Sequence, residues 1–217
     1  MACCTLEGTD RMFSRQARRY ARKFRRKGLD NSQRLIFNGL KETGIIGKSV
    51  LEIGCGVGGL HLTLLKEGAA SALGVEVSSG MLAQARTLAQ GMGLADRVDY
   101  QQGDFITVSG KVPTADIVVM DKVLCCYADP GLLIAQSAAK VITTFAVSYP
   151  RKSVLSKLVF KPMEKVGSLM RWSFHPFYHE PDNLDEMIRQ HGFRETYSGV
   201  TPIWQVRVYV RLGGGDY

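Results

Sequence analysis

A short apolar segment that runs into a glycine-rich loop is the feature that most restricts how this chain can fold. The sequence VLEIGCGVGGL covers residues 50–60 and places glycines at positions 54, 56 and 58. Glycine lets the backbone turn tightly and approach a ligand closely. The same residues, read as Gly54-x-Gly56-x-x-Gly59, also satisfy the dinucleotide fingerprint. The loop therefore predicts a strand–loop–helix unit, but by itself it leaves the ligand ambiguous.

Strands and helices alternate on both sides of this loop, which predicts a doubly wound α/β fold. The predicted strands are Ser49–Ile53, Ala72–Val77, Val98–Gln101, Asp116–Met120 and Val141–Ser148. The predicted crossover helices are Leu60–Glu67, Ser79–Gly91 and Pro130–Lys140. The C-terminal part adds helices over Ser153–Trp172, where Pro162 should kink or split the helix, and over Asn183–Gln190. Two last strands, Arg194–Ser198 and Ile203–Arg211, are too close in sequence to pair in parallel, so we expect an antiparallel pair.

Four acidic residues stand at or near the ends of the predicted strands. Glu52 lies two residues before the first glycine of the loop, Glu76 ends the second strand, Asp104 follows the third and Asp121 ends the fourth. In open α/β sheets, ligands bind outside the carboxyl ends of the strands. A nicotinamide-dependent oxidoreductase would explain the glycines and Glu76, but it gives no reason for Asp104 or for the closing antiparallel pair. The combination therefore favours another ligand.

Over nearly all of residues 50–211 the sequence resembles the class I S-adenosylmethionine-dependent methyltransferases. The matching segments are EIGCGVG (52–58), GVEVSSGML (74–82), QGDF (102–105) and ADIVVMDKV (115–123). The resemblance implies a Rossmann-like seven-stranded sheet, mostly parallel with an antiparallel last strand, helices on both faces, and S-adenosylmethionine as cofactor. It also implies which residues contact each part of the cofactor. The methionine part lies against Glu52, Gly54, Cys55, Gly56 and Gly58, and the ribose lies against Glu76 and Val77, with Met81 nearby. The adenine lies against Asp104 and Phe105, and the reactive end lies near Asp121 and Lys122.

A narrower resemblance points to the magnesium-protoporphyrin O-methyltransferase-like group. It is carried by RKGLDNSQR (26–34), DKVLCCYAD (121–129), SYPR (148–151) and FYHEPDNLDEMIRQHGF (177–193). The implied reaction joins a methyl group to a porphyrin propionate and gives a methyl ester. Two alternatives stay open: another small-molecule O or N acceptor, and a cofactor-binding, RNA-interacting protein without turnover.

Candidate acceptor-site residues come from the segments around the predicted crevice. We expect Tyr20, Tyr127, Tyr149, Arg151, His175 and His179 to contact the acceptor. A carboxylate acceptor is already ionised at pH 7 and needs no general base. An amine or phenol acceptor needs one, for which His175, His179 and Asp121 are the candidates. The apolar residues of Ser153–Trp172 fit either ordinary core or the wall of a pocket for a hydrophobic substrate.

The first segment concentrates the positive charge of a chain whose net charge is +8. Residues Asp10–Lys27 read as an amphipathic helix, with Phe13, Ala17, Tyr20 and Phe24 on one face. Its other face carries nine cations: Arg11, Arg15, Arg18, Arg19, Arg22, Lys23, Arg25, Arg26 and Lys27. The helix is either simply solvated or a lid over the cofactor, with Tyr20 inward and its arginines meeting an anionic substrate or a membrane surface. Nucleic acid is the less favoured partner, because few aromatic residues interleave with the charge.

The cysteines predict neither a disulfide framework nor a metal site. Cys3 and Cys4 are adjacent, as are Cys125 and Cys126, and no CxxC spacing occurs. No run of eighteen apolar residues and no signal-peptide core is present, so we expect a cytoplasmic protein. We divide the chain into an N-terminal basic helical cap (1–44), a methyltransferase domain (45–211) with a helical insert (152–175), and a tail (212–217). Oligomeric state is left open.

Overall fold

A computed structural model describes residues 6–170 and 175–213. The helices are α1 (Leu6–Lys27), α2 (Asn31–Thr43), α3 (Gly59–Lys66), α4 (Ser79–Gly91), α5 (Phe105–Val108), α6 (Pro130–Ala138), α7 (Val154–Leu169) and α8 (Pro181–Gln190). The strands are β1 (Ser49–Ile53), β2 (Ser71–Glu76), β3 (Val98–Gln102), β4 (Ala115–Asp121), β5 (Val141–Pro150), β6 (Phe193–Val200) and β7 (Trp204–Arg211). Most boundaries agree with the sequence prediction to within two residues. The predicted features at Cys3, Cys4 and Trp172 lie outside the described residues.

The described strands form one seven-stranded sheet in the order β3-β2-β1-β4-β5-β7-β6. Strands β1 to β5 pair in parallel, whereas β7 pairs antiparallel with both β5 and β6. The order reverses between β1 and β4, which lie side by side although two strands separate them in sequence. The predicted fold class is confirmed, and the crevice for a ligand lies where the strand order reverses.

Alternate residues of the central strands face two separate apolar cores. Val50 of β1 packs with α2, α3 and α4, through side chains such as Leu40 and Leu60. Leu51, the next residue, packs on the other face with α6 and α8, through Leu133 and others. This alternation follows from the two-residue period of a strand. Because both faces of the sheet are covered, the carboxyl ends of the strands are left as the place for a ligand.

Specific polar contacts fix the N-terminal helices. Helix α1 begins four residues earlier than predicted and packs on α4, where the Ser14 hydroxyl lies 2.9 Å from the hydroxyl of Ser78. Helix α2 starts at a capping box in which the Asp30 carboxylate accepts from the backbone N–H of Gln33. The buried side chains of α1 are small, including Ala17 and Ala21. The helix therefore lies flat against the domain and leaves its basic face in solvent.

Helix α7 decides one of two predicted outcomes. The sequence predicted that Pro162 would kink or split this segment, and the described helix is not split, since it is continuous from Val154 to Leu169. Proline removes the N–H that would bond to the carbonyl four residues earlier, that of Leu158. Both residues are exposed, so water can donate to that carbonyl instead. Among the described residues, no helix combines the length and apolar character needed to cross a bilayer.

Candidate active site

A cavity of about 840 Å3 opens at the carboxyl ends of the parallel strands. Its walls come from the loops after β1 (54–57), β2 (76–77), β3 (103–106) and β4 (121–123), with α1 and α7 at its rim. Predicted site residues that line it are Tyr20, Glu52, Gly54, Cys55, Gly56, Glu76, Val77, Met81, Asp104, Phe105, Asp121, Lys122 and Tyr127. The fold thus brings residues as distant in sequence as Tyr20 and Tyr127 into one site.

The glycine loop has the backbone conformation that its sequence predicted. Gly54, Gly56 and Gly58 have φ values of +67°, +55° and +80°, in the left-handed region that side chains disfavour. A Cβ on Gly54 would also lie 2.5 Å from a methyl carbon of Val123. Gly58 itself does not line the cavity. It precedes α3, and a Cβ there would lie 2.8 Å from the His61 ring.

A buried pair of Glu52 and His61 lies beneath this loop, and sequence analysis missed its histidine. The Glu52 carboxylate is 2.6 Å from Nδ1 of His61 and also accepts from the His61 backbone N–H. Nε2 of His61 is 3.1 Å from the Tyr100 hydroxyl. Both partners are almost fully buried, yet Glu52 still reaches the cavity wall. The ring therefore fixes a carboxylate where the resemblance expects the amino group of a methionine moiety. The position of His61 one turn into α3, facing back toward β1, was the available signal.

Glu76 links the glycine loop to the start of α4. Its two carboxylate oxygens accept from the backbone N–H groups of Gly56 at 2.8 Å and Ser78 at 2.9 Å. Burial raises the pKa of Glu76, although these N–H groups oppose the shift. Burial also raises the pKa of the neighbouring Cys55 thiol, so that Cys55 is an unreactive part of the wall.

Asp104 and Tyr127 form the adenine side of the predicted site. The Tyr127 hydroxyl donates to Oδ1 of Asp104, while Thr107 donates to Oδ2 at 3.1 Å. Burial, followed by this carboxylate, raises the pKa of Tyr127 well above its usual value. Phe105 is buried beside them. Tyr127 was predicted to contact the acceptor, but its hydroxyl is tied to the residue predicted to hold the adenine.

At the opposite end of the cavity, Lys122 lies between two aspartates. Its ammonium is 2.7 Å from Asp30 and 3.2 Å from Asp121. Burial disfavours the charged ammonium, but the charges of Asp121 and Asp30 outweigh it and raise the pKa of Lys122. Asp121 also accepts from Ser148 at 2.6 Å and from Ser32 at 3.2 Å. Every acidic group at this end is therefore already paired.

Four predicted acceptor residues lie elsewhere. Tyr149 is fully buried, and its hydroxyl donates to Asp185 in the core beneath the sheet. Arg151 donates to the carbonyl of Thr201 at 3.2 Å. His175 is buried against Gly167 of α7, and the Nε2 atom of His179 lies 2.8 Å from the Tyr127 carbonyl. None of the four lines the cavity; in the segment after α7 it is Pro176 and Phe177, which lie between the two histidines in sequence, that line it.

Comparisons with known proteins agree with this geometry. Residues 50–143, which hold the glycine loop and strands β1 to β4, match the profile of the methyltransferase domain family. By this match residues 50–143 form a methyltransferase domain, and the sheet around them has the class I methyltransferase fold. The methyltransferase prediction made from the sequence is thereby confirmed at the level of the domain and its cofactor class.

Individual relatives of this chain are distant. It is 36% identical over 74 residues to the ribosomal protein L11 methyltransferase of Enterobacter sp. (strain 638); the match spans 34% of this chain and about a quarter (24%) of that curated protein. The magnesium protoporphyrin IX methyltransferase of Synechocystis PCC 6803, solved with bound SAH, superposes with a TM-score of 0.67 at 20% identity, covering 83% of this chain and 81% of that one. The [4+2]-cyclase SpnF superposes with a TM-score of 0.67 at 15% identity, covering 83% and 80%. Likenesses at this level show the fold alone.

Proposed function

We propose that this chain transfers the methyl group of S-adenosylmethionine to the carboxylate of a hydrophobic small molecule, forming a methyl ester. We infer a carboxylate acceptor because every carboxylate at the Lys122 end of the cavity is already paired. We infer S-adenosylmethionine as cofactor from the three carboxylates of Glu52, Glu76 and Asp104 along the other wall.

The residues on that wall fit the parts of S-adenosylmethionine in order. Glu52 can accept from the α-amino group, Glu76 can accept from the two ribose hydroxyls, and Asp104 can accept from the adenine amine. Met81 and Phe105 supply apolar contacts between these polar groups. The sulfonium supplies an activated methyl group, and the protein's task is then to align the acceptor and exclude water.

The acceptor end offers no available general base among the described residues that line it. Asp121 and Asp30 are engaged by Lys122 and by serine hydroxyls, and the Tyr127 hydroxyl donates to Asp104. An amine or phenol would need a base to remove its proton, whereas a carboxylate is ionised at pH 7. The pairing pattern therefore supports a carboxylate acceptor.

Apolar and cationic groups complete this acceptor region. Phe160, Met163, Phe177 and Trp204 line the wall around Lys122, and Lys23 of α1 reaches the same cavity. Lys23 is exposed and has no ion pair among the described residues, so it is placed to attract a carboxylate. A flat hydrophobic acid matches these walls, and a porphyrin propionate is the specific member of that class that we propose first.

Cofactor binding is tested by calorimetric titration with S-adenosylhomocysteine, with NAD as control. We expect micromolar binding of S-adenosylhomocysteine alone. In Glu52→Gln, affinity for S-adenosylhomocysteine should fall, whereas affinity for 5′-methylthioadenosine, which lacks the amino-acid part, should be unchanged. Binding of NAD, or equal losses for both nucleosides, would contradict the assignment.

The acceptor class is tested with methyl-labelled S-adenosylmethionine and a panel of acids, phenols and amines that includes a porphyrin with free propionates. A methyl ester releases volatile labelled methanol in mild base, whereas N-methyl and aryl ether products keep the label. Asp121→Asn should retain turnover if no base is needed. Base-stable product, or loss of turnover in Asp121→Asn with binding retained, would argue for an amine or phenol acceptor instead.

A further inference from the structure

We propose that the rim of the cavity docks on a membrane surface that contains anionic lipid, with helix α7 inserted into the interface. Docking would involve the outer surface of the molecule and does not depend on which reaction the cavity performs. Only delivery of the acceptor from the membrane rests on the function proposed above.

Helix α7 exposes an apolar stripe that has no packing partner among the described residues. Its exposed apolar side chains are Val154, Leu155, Leu158, Met163, Val166 and Leu169, which are six of the fourteen exposed large hydrophobic residues in the described chain. At 3.6 residues per turn they occupy about half of the helix circumference. The buried residues, Ser156, Phe160 and Gly167, fall together on another side. A helix of this length that buries three residues and exposes six apolar ones is typical of an interfacial helix.

Positive charge borders this stripe. Lys157 and Lys161 lie along one edge of the stripe, and Lys165 lies just inside that edge. Lys157 is paired with Glu180 at 3.1 Å, while Lys161 lies over the Tyr178 ring. Long lysine side chains can keep their ammonium groups at the lipid head groups while apolar neighbours insert. Charge complementarity therefore favours a bilayer with anionic lipid over a purely apolar protein groove.

The basic face of α1 adds to the same rim. Its nine cations are all exposed, and none of them has an ion pair within the described part of the chain. Tyr20 and Lys23 of α1 line the cavity, as do Phe160 and Met163 of α7, so that both helices meet at its opening. The cavity thus opens beside Met163, at the edge of the stripe, where an acceptor dissolved in lipid can enter.

The inference is tested by co-sedimentation of the full chain with vesicles of phosphatidylcholine, with and without phosphatidylglycerol. We expect binding to the anionic vesicles only, weakened but not abolished by high salt, since screening removes only the electrostatic part. Leu158→Gln with Leu169→Gln should reduce the partition coefficient by about tenfold per leucine. The control, Ile46→Gln with Leu132→Gln, changes two other exposed apolar residues outside α7 and should bind like the parent.

Several results would overturn the inference. These are absence of sedimentation with either vesicle, or binding that is unaffected by the leucine substitutions. A third is a parent protein that binds no vesicles but forms a concentration-dependent dimer in analytical ultracentrifugation, which the leucine substitutions abolish. The stripe would then be a contact between two copies of the chain. A fourth is capture of a homopolymer RNA in preference to vesicles, which would assign the cations of α1 to nucleic acid. Titration with S-adenosylhomocysteine is run in parallel, so that failure of docking and failure of the proposed chemistry are read separately.

Discussion

Replacing His61 with phenylalanine removes the ring nitrogens from the buried pair under the glycine loop while keeping the ring volume. Glu52 would lose its 2.6 Å partner and keep the backbone N–H of residue 61 at 3.2 Å. Removing one partner of a buried hydrogen bond costs about 1–3 kcal/mol, because the other group stays buried without that partner. The 2.6 Å contact and the nearly complete burial of both side chains place the expected cost near the upper end, at about 3 kcal/mol.

For a chain of this size, 1 kcal/mol shifts Tm by about 2–4 °C. We therefore expect His61→Phe to lower Tm by about 6–12 °C. Tyr100→Phe is the matched control: it removes only the hydroxyl on the other ring nitrogen, at 3.1 Å, and should cost about 1 kcal/mol.

A double-mutant cycle tests the coupling between Glu52 and His61. It compares the urea denaturation of His61→Phe, of Glu52→Gln and of the variant that carries both changes with that of the parent; Tyr100→Phe is measured alongside. Glu52→Gln should rescue part of the loss in the His61→Phe background, because the uncompensated charge is then gone. If the two losses simply add, or if His61→Phe costs no more than Tyr100→Phe, the two side chains are not coupled and the reasoning is refuted.

Three further predictions follow from the backbone and from burial. Gly54→Ala should lower the unfolding free energy by about 2 kcal/mol or more and abolish S-adenosylhomocysteine binding, because residue 54 has a φ of +67° and its Cβ would clash. Gly110→Ala is the control: the space around Gly110 is open, so this change should alter neither stability nor binding. Because burial raises the pKa of Glu76 above 4.5, S-adenosylhomocysteine affinity should be full above that raised pKa and fall as the pH drops through it; a profile that Glu76→Gln leaves unchanged would contradict this. Pro162→Ala should stabilise α7 by up to about 3 kcal/mol, seen as slower amide exchange in residues 158–166, and faster exchange would count against a regular helix.

The order and type of the elements around the site could be predicted from the sequence. Strand β1, the glycine loop and helix α3 were predicted because period, apolar content and glycine spacing are local properties. The antiparallel last pair could be predicted as well, since a short connection cannot bridge parallel strands. Of the two outcomes predicted at Pro162, the split does not occur, because propensity alone does not tell whether water can satisfy the carbonyl that loses its donor.

The acceptor region could not be predicted in the same way. Lys122 and Asp30 are 92 residues apart in sequence, and only the packing of α2 beside the end of β4 brings them to 2.7 Å. Tyr149 was expected at the site on the basis of sequence proximity, but the extension of β5 turns it into the core, where it meets Asp185.

The sequence by itself determined the fold class, the glycine loop and the acidic residues at the strand ends, because each is set by the local pattern of successive strand–loop–helix units. Only the tertiary structure decided which polar groups are already paired, and the proposal of a carboxylate acceptor rests on this pairing. The physical reason is that hydrogen bonds and ion pairs between distant segments depend on register and on how helices cross the sheet. His61 shows both sides: its place one turn into α3 is local, but its contact with Tyr100 exists only because β2 and β3 lie side by side.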